Sequence, residues 1–76
     1  FNNLKYKFDI IFLDPPYKDN KISNLLKNIQ NFKILNKNGI IIIHRHKKEE
    51  DILPYGFNVL EEKFYGISKI TILSLS

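Results

Sequence analysis

The first regular pattern in the chain is an apolar run at positions 8–13, Phe-Asp-Ile-Ile-Phe-Leu, which a single aspartate interrupts. A run of this kind is typical of a strand that is buried on both faces of a parallel sheet. The strand must end before Pro15 and Pro16, because a proline has no N–H to donate to a sheet and favours an extended residue before it. We therefore predict a buried, central strand with Asp14 at its carboxyl end.

A second pattern follows the prolines and has apolar residues at three- and four-residue steps, which predicts an amphipathic helix from about Lys21 to Ile34. Asp19 and Asn20 precede it, and both residue types are good helix N-caps. The apolar residues of its inner face are Ile22, Leu25, Leu26, Ile29 and Phe32. We expect this helix to cover one face of the sheet and to take no part in chemistry.

The middle of the chain predicts a second buried strand, formed by the four consecutive isoleucines at 40–43. The Asn-Lys-Asn-Gly sequence at 36–39 predicts a turn before it, in which Gly39 adopts a positive φ. Strand, helix and strand at this spacing form a βαβ unit, whose right-handed crossover makes the two strands parallel. Asp14 should then lie near the segment after the second strand, residues 44–48, because the carboxyl ends of parallel strands share an edge.

The remaining chain predicts an antiparallel hairpin that closes the sheet. Its strands are expected at 57–65, where apolar residues flank three charged ones, and at 69–75, where Ile and Leu alternate with Thr and Ser, with Gly66 in the short connection. Residues 49–56 are mostly polar, contain a proline and a glycine, and predict a loop or a single helical turn. The expected fold class is therefore α/β, with two parallel strands joined by a crossover helix and followed by an antiparallel hairpin.

The strongest candidate for a functional site is the sequence Asp14-Pro15-Pro16-Tyr17. Ligands of open α/β sheets bind beyond the carboxyl ends of the strands, which is where these residues should lie. The Asp14 carboxylate and the Pro15 carbonyl are two rigidly held acceptors, which suits an NH2 group with two hydrogens to donate, and Tyr17 can stack on the ring that carries this amine. Hydrogen bonds from both amine hydrogens favour a pyramidal nitrogen whose lone pair is free to attack an electrophile. A base in a duplex must first be flipped out of its stack.

The same four residues resemble motif IV of the S-adenosylmethionine-dependent amino-methyltransferases, in which Asp or Asn is followed by two prolines and an aromatic residue. The resemblance implies that Asp14 and Pro15 hold the target amine, that Pro16 is a rigid spacer and that Tyr17 stacks on the base. It also implies that Asp14 lies at the edge of the cofactor site. The motif does not choose among adenine, cytosine and guanine amines.

The rest of the chain extends this resemblance to the bacterial 16S rRNA guanine-N2 methyltransferases of the RsmD type. The proline motif, a helix of about four turns, Asn-Gly before an aliphatic strand, and Phe-Tyr-Gly-Ile-Ser at 64–68 are similar to the C-terminal half of that family. The family implies the C-terminal portion of a Rossmann-like class I methyltransferase fold and methyl transfer to a guanine N2 amine in 16S rRNA. It further implies substrate contacts at Tyr65 and Gly66, rRNA or an assembling small ribosomal subunit as partner, and a monomeric full-length protein.

One departure from the family pattern lies after the second strand, where many relatives carry an acidic residue and this chain has His44, Arg45 and His46. Two histidines without cysteine or a placed carboxylate do not predict a metal site, so none is expected. Arg45, Lys47 and Lys48 are predicted instead to contact the phosphates of the substrate at the edge of the active site. The alternative for this basic segment is a solvated loop.

Composition adds the class of partner. The net charge of +4 fits an anionic partner such as nucleic acid, although frequent Lys, Asn and Ile are also expected from AT-rich coding DNA. The chain has no cysteine, which fits a reducing compartment, and no apolar run near the roughly 18 residues of a membrane span, so a cytoplasmic location is expected.

The chain has no methionine and begins at Phe1, so we expect residues 1–76 to be the C-terminal part of a single methyltransferase domain whose cofactor-binding N-terminal half is absent. In that fold the strand that ends at Asp14 has a second neighbour. Residues 1–76 alone should therefore leave one edge of the sheet open and apolar.

Two other classes of protein remain open. An apolar strand that ends in aspartate also resembles the Walker B strand of P-loop ATPases, although paired prolines are unusual there. A small basic RNA-binding module could use Tyr17, Tyr65 and the lysines without any cofactor. A Gly-Lys-Ser/Thr loop upstream would indicate the ATPase, and failure to bind S-adenosylmethionine would indicate the RNA-binding module.

Overall fold

A computed structural model describes residues 7–14 and 22–76. The described residues form four strands and one helix, and the four strands make one sheet in the order β1-β2-β4-β3. In chain order the elements are β1 (Phe8–Leu13), α1 (Ile22–Phe32), β2 (Leu35–His46), β3 (Phe57–Tyr65) and β4 (Ser68–Leu75). β1 and β2 are parallel, whereas β4 is antiparallel to both β2 and β3. The predicted βαβ unit and closing hairpin are confirmed.

Helix α1 packs on one face of the sheet through part of its predicted apolar stripe. Ile22 and Leu26 are fully buried in the same core cluster as Ile41 of β2 and Leu73 of β4. The helix ends at Phe32, and the next residue, Lys33, has a φ of 52°, a left-handed conformation that commonly ends helices. The core therefore lies between α1 and the middle of the sheet.

The edge position of β1 differs from the predicted burial on both faces. Within the described residues it pairs with β2 alone, and its Ile10 and Phe12 are 60% and 59% exposed. On the helix side, Leu25 and Phe32 of the predicted inner face are also exposed, because they border an apolar cavity of about 310 Å³ next to β1. Within residues 7–14 and 22–76, no strand pairs with the outer edge of β1, in line with the open, apolar edge expected for residues 1–76.

The start of β2 also differs from the prediction. Residues 36–39 belong to the strand, which begins at Leu35, and Gly39 is not among the described glycines with a positive φ. A Cβ atom at position 39 would lie 2.5 Å from Cδ1 of Leu35 and 3.0 Å from the carbonyl oxygen of Asn36. Glycine is therefore needed here for close packing within an irregular strand and not for its φ, so the predicted turn is wrong.

Within the described part of the chain, α1 is too short to cross a membrane.

Candidate functional site

Asp14 directly follows β1 and lies where β1 and β2 reach their common carboxyl-end edge. The register pairs Leu13 with Ile43, so the next residues, Asp14 and His44, are neighbours across the two strands. Nδ1 of His44 lies 3.2 Å from Oδ1 of Asp14, and the two side chains are 37% and 60% exposed. The predicted proximity of Asp14 to residues 44–48 is confirmed at His44, which belongs to β2.

The turn between β3 and β4 reaches the same edge of the sheet. Ser68 pairs with His46 on one side and with Tyr65 on the other, and the backbone N–H of Lys47 donates to the carbonyl of Ile67 over 2.7 Å. Gly66 has a φ of 57° and open space where a Cβ would lie. A glycine is therefore required at position 66 by the backbone conformation of the turn and not by crowding around a Cβ atom.

A cavity of about 210 Å³ opens between these elements, and we call it the rim cavity. It is lined by Asp14, His44, Arg45, His46, Glu49, Ile67 and Ser68. His44 and His46 had been assigned no role in the site, and Glu49, Ile67 and Ser68 were not predicted to belong to it. The antiparallel register of a hairpin against β2 would have indicated them, because it brings the hairpin turn to the carboxyl end of β2.

The larger apolar cavity next to β1 is not a candidate for chemistry, because its lining contains no titratable side chain. The rim cavity, in contrast, combines the carboxylates of Asp14 and Glu49, two imidazoles and backbone groups of a turn. We therefore place the candidate site at the rim, although the apolar cavity is the larger of the two.

The side chain of Arg45 points to the face of β2 opposite to that of His44 and His46, because successive strand residues alternate between the two faces of a sheet. Its side chain is 2% exposed, and its Nε and Nη2 atoms donate to the two carboxylate oxygens of Asp51 over 3.0 and 3.1 Å. Nη2 also lies 3.6 Å from Oε2 of Glu49. This bidentate hydrogen bonding to Asp51 fixes the orientation of the guanidinium group. The prediction that Arg45 contacts substrate phosphates is not supported, because Arg45 instead anchors the loop after β2.

The exposed part of the basic segment consists of Lys47 and Lys48. Nδ1 of His46 accepts the backbone N–H of Lys48 over 3.1 Å, and the His46 carbonyl accepts the N–H of Glu49 over 2.9 Å. Lys69 adds a further tie, because its ammonium group donates to the Glu49 carbonyl. The turn is thus held by local hydrogen bonds while both lysines face solvent, and their contact with phosphates stays a prediction.

Pro15, Pro16 and Tyr17 lie outside the described residues, so their predicted roles stay predictions. Of the four-residue motif, the structure describes Asp14. Tyr65 is 60% exposed and lies beside the rim, as a substrate contact requires. No group of three or more His, Asp or Glu side chains within 7–14 and 22–76 is arranged to hold a metal ion.

Comparison with known proteins shows to which family the chain belongs. Residues 2–74 match the model of the family described as Conserved hypothetical protein 95. The ribosomal RNA small subunit methyltransferase D of Buchnera aphidicola is 34% identical over 56 residues, which cover 74% of this chain and 29% of that protein. A Rickettsia prowazekii protein described as an uncharacterized methylase is 31% identical over 77 residues, which cover 100% of this chain and 33% of that protein.

Solved structures share the fold. A conserved hypothetical protein from Streptococcus pyogenes matches with a TM-score of 0.83 and 28% identity, over 99% of this chain and 48% of that one. Structures described as methylases and methyltransferases match it as well, which confirms the expected C-terminal portion of a class I methyltransferase fold. The chain spans about a third of the length of the curated relatives that it matches and about half of the solved one.

Proposed function

The chain belongs to the Conserved hypothetical protein 95 family, the family of the RsmD-type rRNA methyltransferases, and on that premise we propose that the whole protein transfers a methyl group from S-adenosylmethionine to the N2 amine of a guanine in 16S rRNA. The observation that carries the proposal is the position of Asp14. It is the first residue of the proline motif, and its carboxylate is 60% exposed at the carboxyl-end edge of the sheet. Ligands of α/β sheets bind at that edge.

Asp14 supplies one acceptor for the target amine. Its Oδ1 atom contacts His44, whereas Oδ2 has no polar partner within the described part of the chain. A carboxylate oxygen can accept an amine N–H, and the carbonyl of Pro15 would accept the other. Both hydrogen bonds strengthen as positive charge develops on the nitrogen, so they favour the transition state over the bound substrate. Tyr17 would stack on the guanine once the base has left its helix.

The described residues reach only the edge of the proposed site for the methyl donor. S-adenosylmethionine supplies the electrophilic methyl group when it is bound, and Asp14 borders the place where that methyl group must meet the amine. The chain contains three glycines, Gly39, Gly56 and Gly66, and none of them forms a glycine-rich loop. We therefore assign the donor's binding groups to another part of a single methyltransferase domain, of which residues 1–76 form the C-terminal part. The relatives, which are about three times as long, support this assignment.

Lys47, Lys48, Tyr65 and Gly66 form the proposed substrate side of the rim. The two lysines are exposed and can contact backbone phosphates, and Tyr65 offers an exposed ring beside the hairpin turn. We propose 16S rRNA, free or within an assembling small subunit, as their partner, together with a cytoplasmic location and a monomeric full-length protein. Because the relatives are named as methyltransferases, we do not retain the ATPase hypothesis.

Two measurements on the full-length protein test the proposal. Isothermal titration with S-adenosylmethionine should show binding, and radiolabelled methyl transfer to 16S rRNA should be followed by nuclease digestion and mass spectrometry. The expected product is N2-methylguanosine. N6-methyladenosine or N4-methylcytidine would keep the amine clamp and overturn the choice of base. A protein that binds RNA but no donor would be an RNA-binding module.

Asp14→Ala tests the clamp itself. We expect methyl transfer to fall at least about a hundredfold, because an acceptor aligned with the developing charge is lost. Donor affinity should stay within a few-fold. Asp9→Ala is the matched control, because Asp9 is the other aspartate near β1 and accepts a hydrogen bond from Asn36 over 2.6 Å at the opposite end of the strand. Near-normal turnover of Asp14→Ala would contradict the clamp.

A further inference from the structure

His44 is the residue that contacts the carboxylate of Asp14 within the described part of the chain. Its Nδ1 atom lies 3.2 Å from Oδ1, although the two residues are 30 positions apart in the sequence. The contact follows from the parallel register of β1 and β2, which pairs Leu13 with Ile43 one residue earlier. It is therefore a product of the fold and not of local chain geometry.

We propose that His44 is a positioning residue for Asp14, whose imidazole donates its Nδ1–H to Oδ1 and so directs Oδ2 towards the target amine. The proposal rests on the proposed function, in which Asp14 accepts that amine. A carboxylate that is 60% exposed is free to rotate about its last side-chain bond unless one oxygen is held. Holding Oδ1 removes this freedom, and the rate of a reaction depends steeply on such alignment.

The magnitude of the contact favours this role over a role in stability. Exposed pairs of this type contribute little to folding, because water screens them and ordering the side chains costs entropy. His44 and Asp14 are 37% and 60% exposed, so their contact adds little to the stability of the sheet. Its consequence lies in where the second oxygen points.

The other imidazole at the rim does not replace His44. Nδ1 of His46 accepts the backbone N–H of Lys48 over 3.1 Å, so it has no hydrogen to give to Asp14 through that atom. His44, in contrast, must carry its hydrogen on Nδ1 in order to donate to a carboxylate. The two histidines therefore hold their protons on different nitrogens when both are neutral.

Two variants of the full-length protein test the proposal. His44→Asn keeps an N–H donor near the position of Nδ1, whereas His44→Ala removes this hydrogen-bond donor. We expect His44→Ala to lower kcat about tenfold with little change in KM for S-adenosylmethionine, and His44→Asn to retain most of kcat.

A second measurement separates this proposal from the proposed function. Long-range proton–nitrogen NMR should find the proton of neutral His44 on Nδ1 in the wild-type protein and not in Asp14→Ala, and it requires no methyl transfer. Absence of the Nδ1 proton in the wild type would overturn the positioning role whatever the activity. Equal kcat in His44→Ala and wild type, or equal damage in His44→Ala and His44→Asn, would overturn it as well. A wild-type protein with the Nδ1 proton but no methyl transfer would refute the proposed function, and the positioning role with it.

Discussion

The two edge strands of the sheet, β1 and β3, face their surroundings in different ways. β3 carries three charged residues in a row, Glu61, Glu62 and Lys63, between its exposed apolar side chains. β1 has Ile10 and Phe12 exposed and one charged residue near its start. Charged residues on an edge strand discourage pairing with another chain, and an apolar edge without them invites it. β3 is therefore suited to a solvent-exposed edge, whereas β1 is suited to an edge that another segment covers.

The environment of β1 supports the same conclusion. The apolar cavity of about 310 Å³ lies on the helix side of β1, and Leu25 and Phe32 of α1 border it. Ile10, which lines the same cavity, and Phe12 are exposed as well. A further strand beside β1 and an element packed over it would bury these residues. The difference between the edges thus supports the proposal that the rest of a methyltransferase domain packs on β1.

The largest expected effect concerns association at β1. Residues 1–76 expressed alone should form oligomers or aggregates, because the open edge of β1 can pair with another copy. The double substitution Ile10→Lys and Phe12→Lys should shift the chain towards monomer. Size-exclusion chromatography with light scattering measures both, and circular dichroism checks that the variant is folded.

Leu60→Lys is the matched control for the comparison of the edges. Leu60 lies on β3 and is 57% exposed, close to the exposure of Ile10 and Phe12. Since β3 already carries charge, the control should leave association nearly unchanged. If residues 1–76 were monomeric and unfolded cooperatively, or if Leu60→Lys also abolished association, the distinction between the two edges would be wrong.

An intermediate effect is expected at the loop that connects β2 to the β3 side of the sheet. Asp51 holds the buried guanidinium of Arg45 through two hydrogen bonds of 3.0 and 3.1 Å. Asp51→Asn keeps an acceptor but removes the charge, so it should lower the free energy of unfolding by about 1–3 kcal/mol. Urea unfolding of the full-length protein measures this loss. In residues 1–76 alone, association at β1 should not change, because Asp51 does not lie on that strand.

A double variant controls for the charge left behind. Arg45→Met with Asp51→Leu removes both partners and fills the site with apolar side chains, which is often neutral for buried pairs. It should therefore be more stable than Asp51→Asn alone. A loss below about 0.5 kcal/mol for Asp51→Asn would indicate that Arg45 is not held as described.

The sequence predicted those parts of the fold that depend on local pattern and chirality. The apolar run of β1, the alternation in the hairpin and the right-handed crossover were enough to place Asp14 beside the end of β2. The start of β2 was missed because residues 36–38 are polar and typical of a turn. Tertiary contacts determine the strand conformation of these residues. The Phe8 N–H donates to the Ile34 carbonyl over 2.7 Å, and Nδ2 of Asn36 donates to Oδ1 of Asp9 over 2.6 Å.

The candidate site was predicted in position but not in detail. In the sequence, Arg45 belongs to a basic run, and the predicted strand ended at Ile43. Continued alternation to His46 would have placed Arg45 on the covered face and His44 with His46 on the open one. The partner of Arg45 could not be predicted, because Asp51 lies in a loop whose conformation no local pattern specifies.

The smallest effect is expected at the charged edge itself. Oε1 of Glu61 lies 3.3 Å from Nζ of Lys63. This contact raises the pKa of Lys63 above its ordinary value, first through a hydrogen bond and second through the charge of Glu61. A raised pKa means that the pair stabilises the fold below the ordinary lysine pKa of 10.5 and that this contribution is lost as the pH rises through the raised value. Because both side chains are exposed and screened, Glu61→Gln should barely change urea unfolding at neutral pH, and added salt should remove what difference there is. Glu62→Gln, which removes the same charge without this partner, is the control. A loss as large as that of Asp51→Asn would mean that the charges of β3 hold the edge together, whereas the comparison with β1 requires that they serve to keep other chains away.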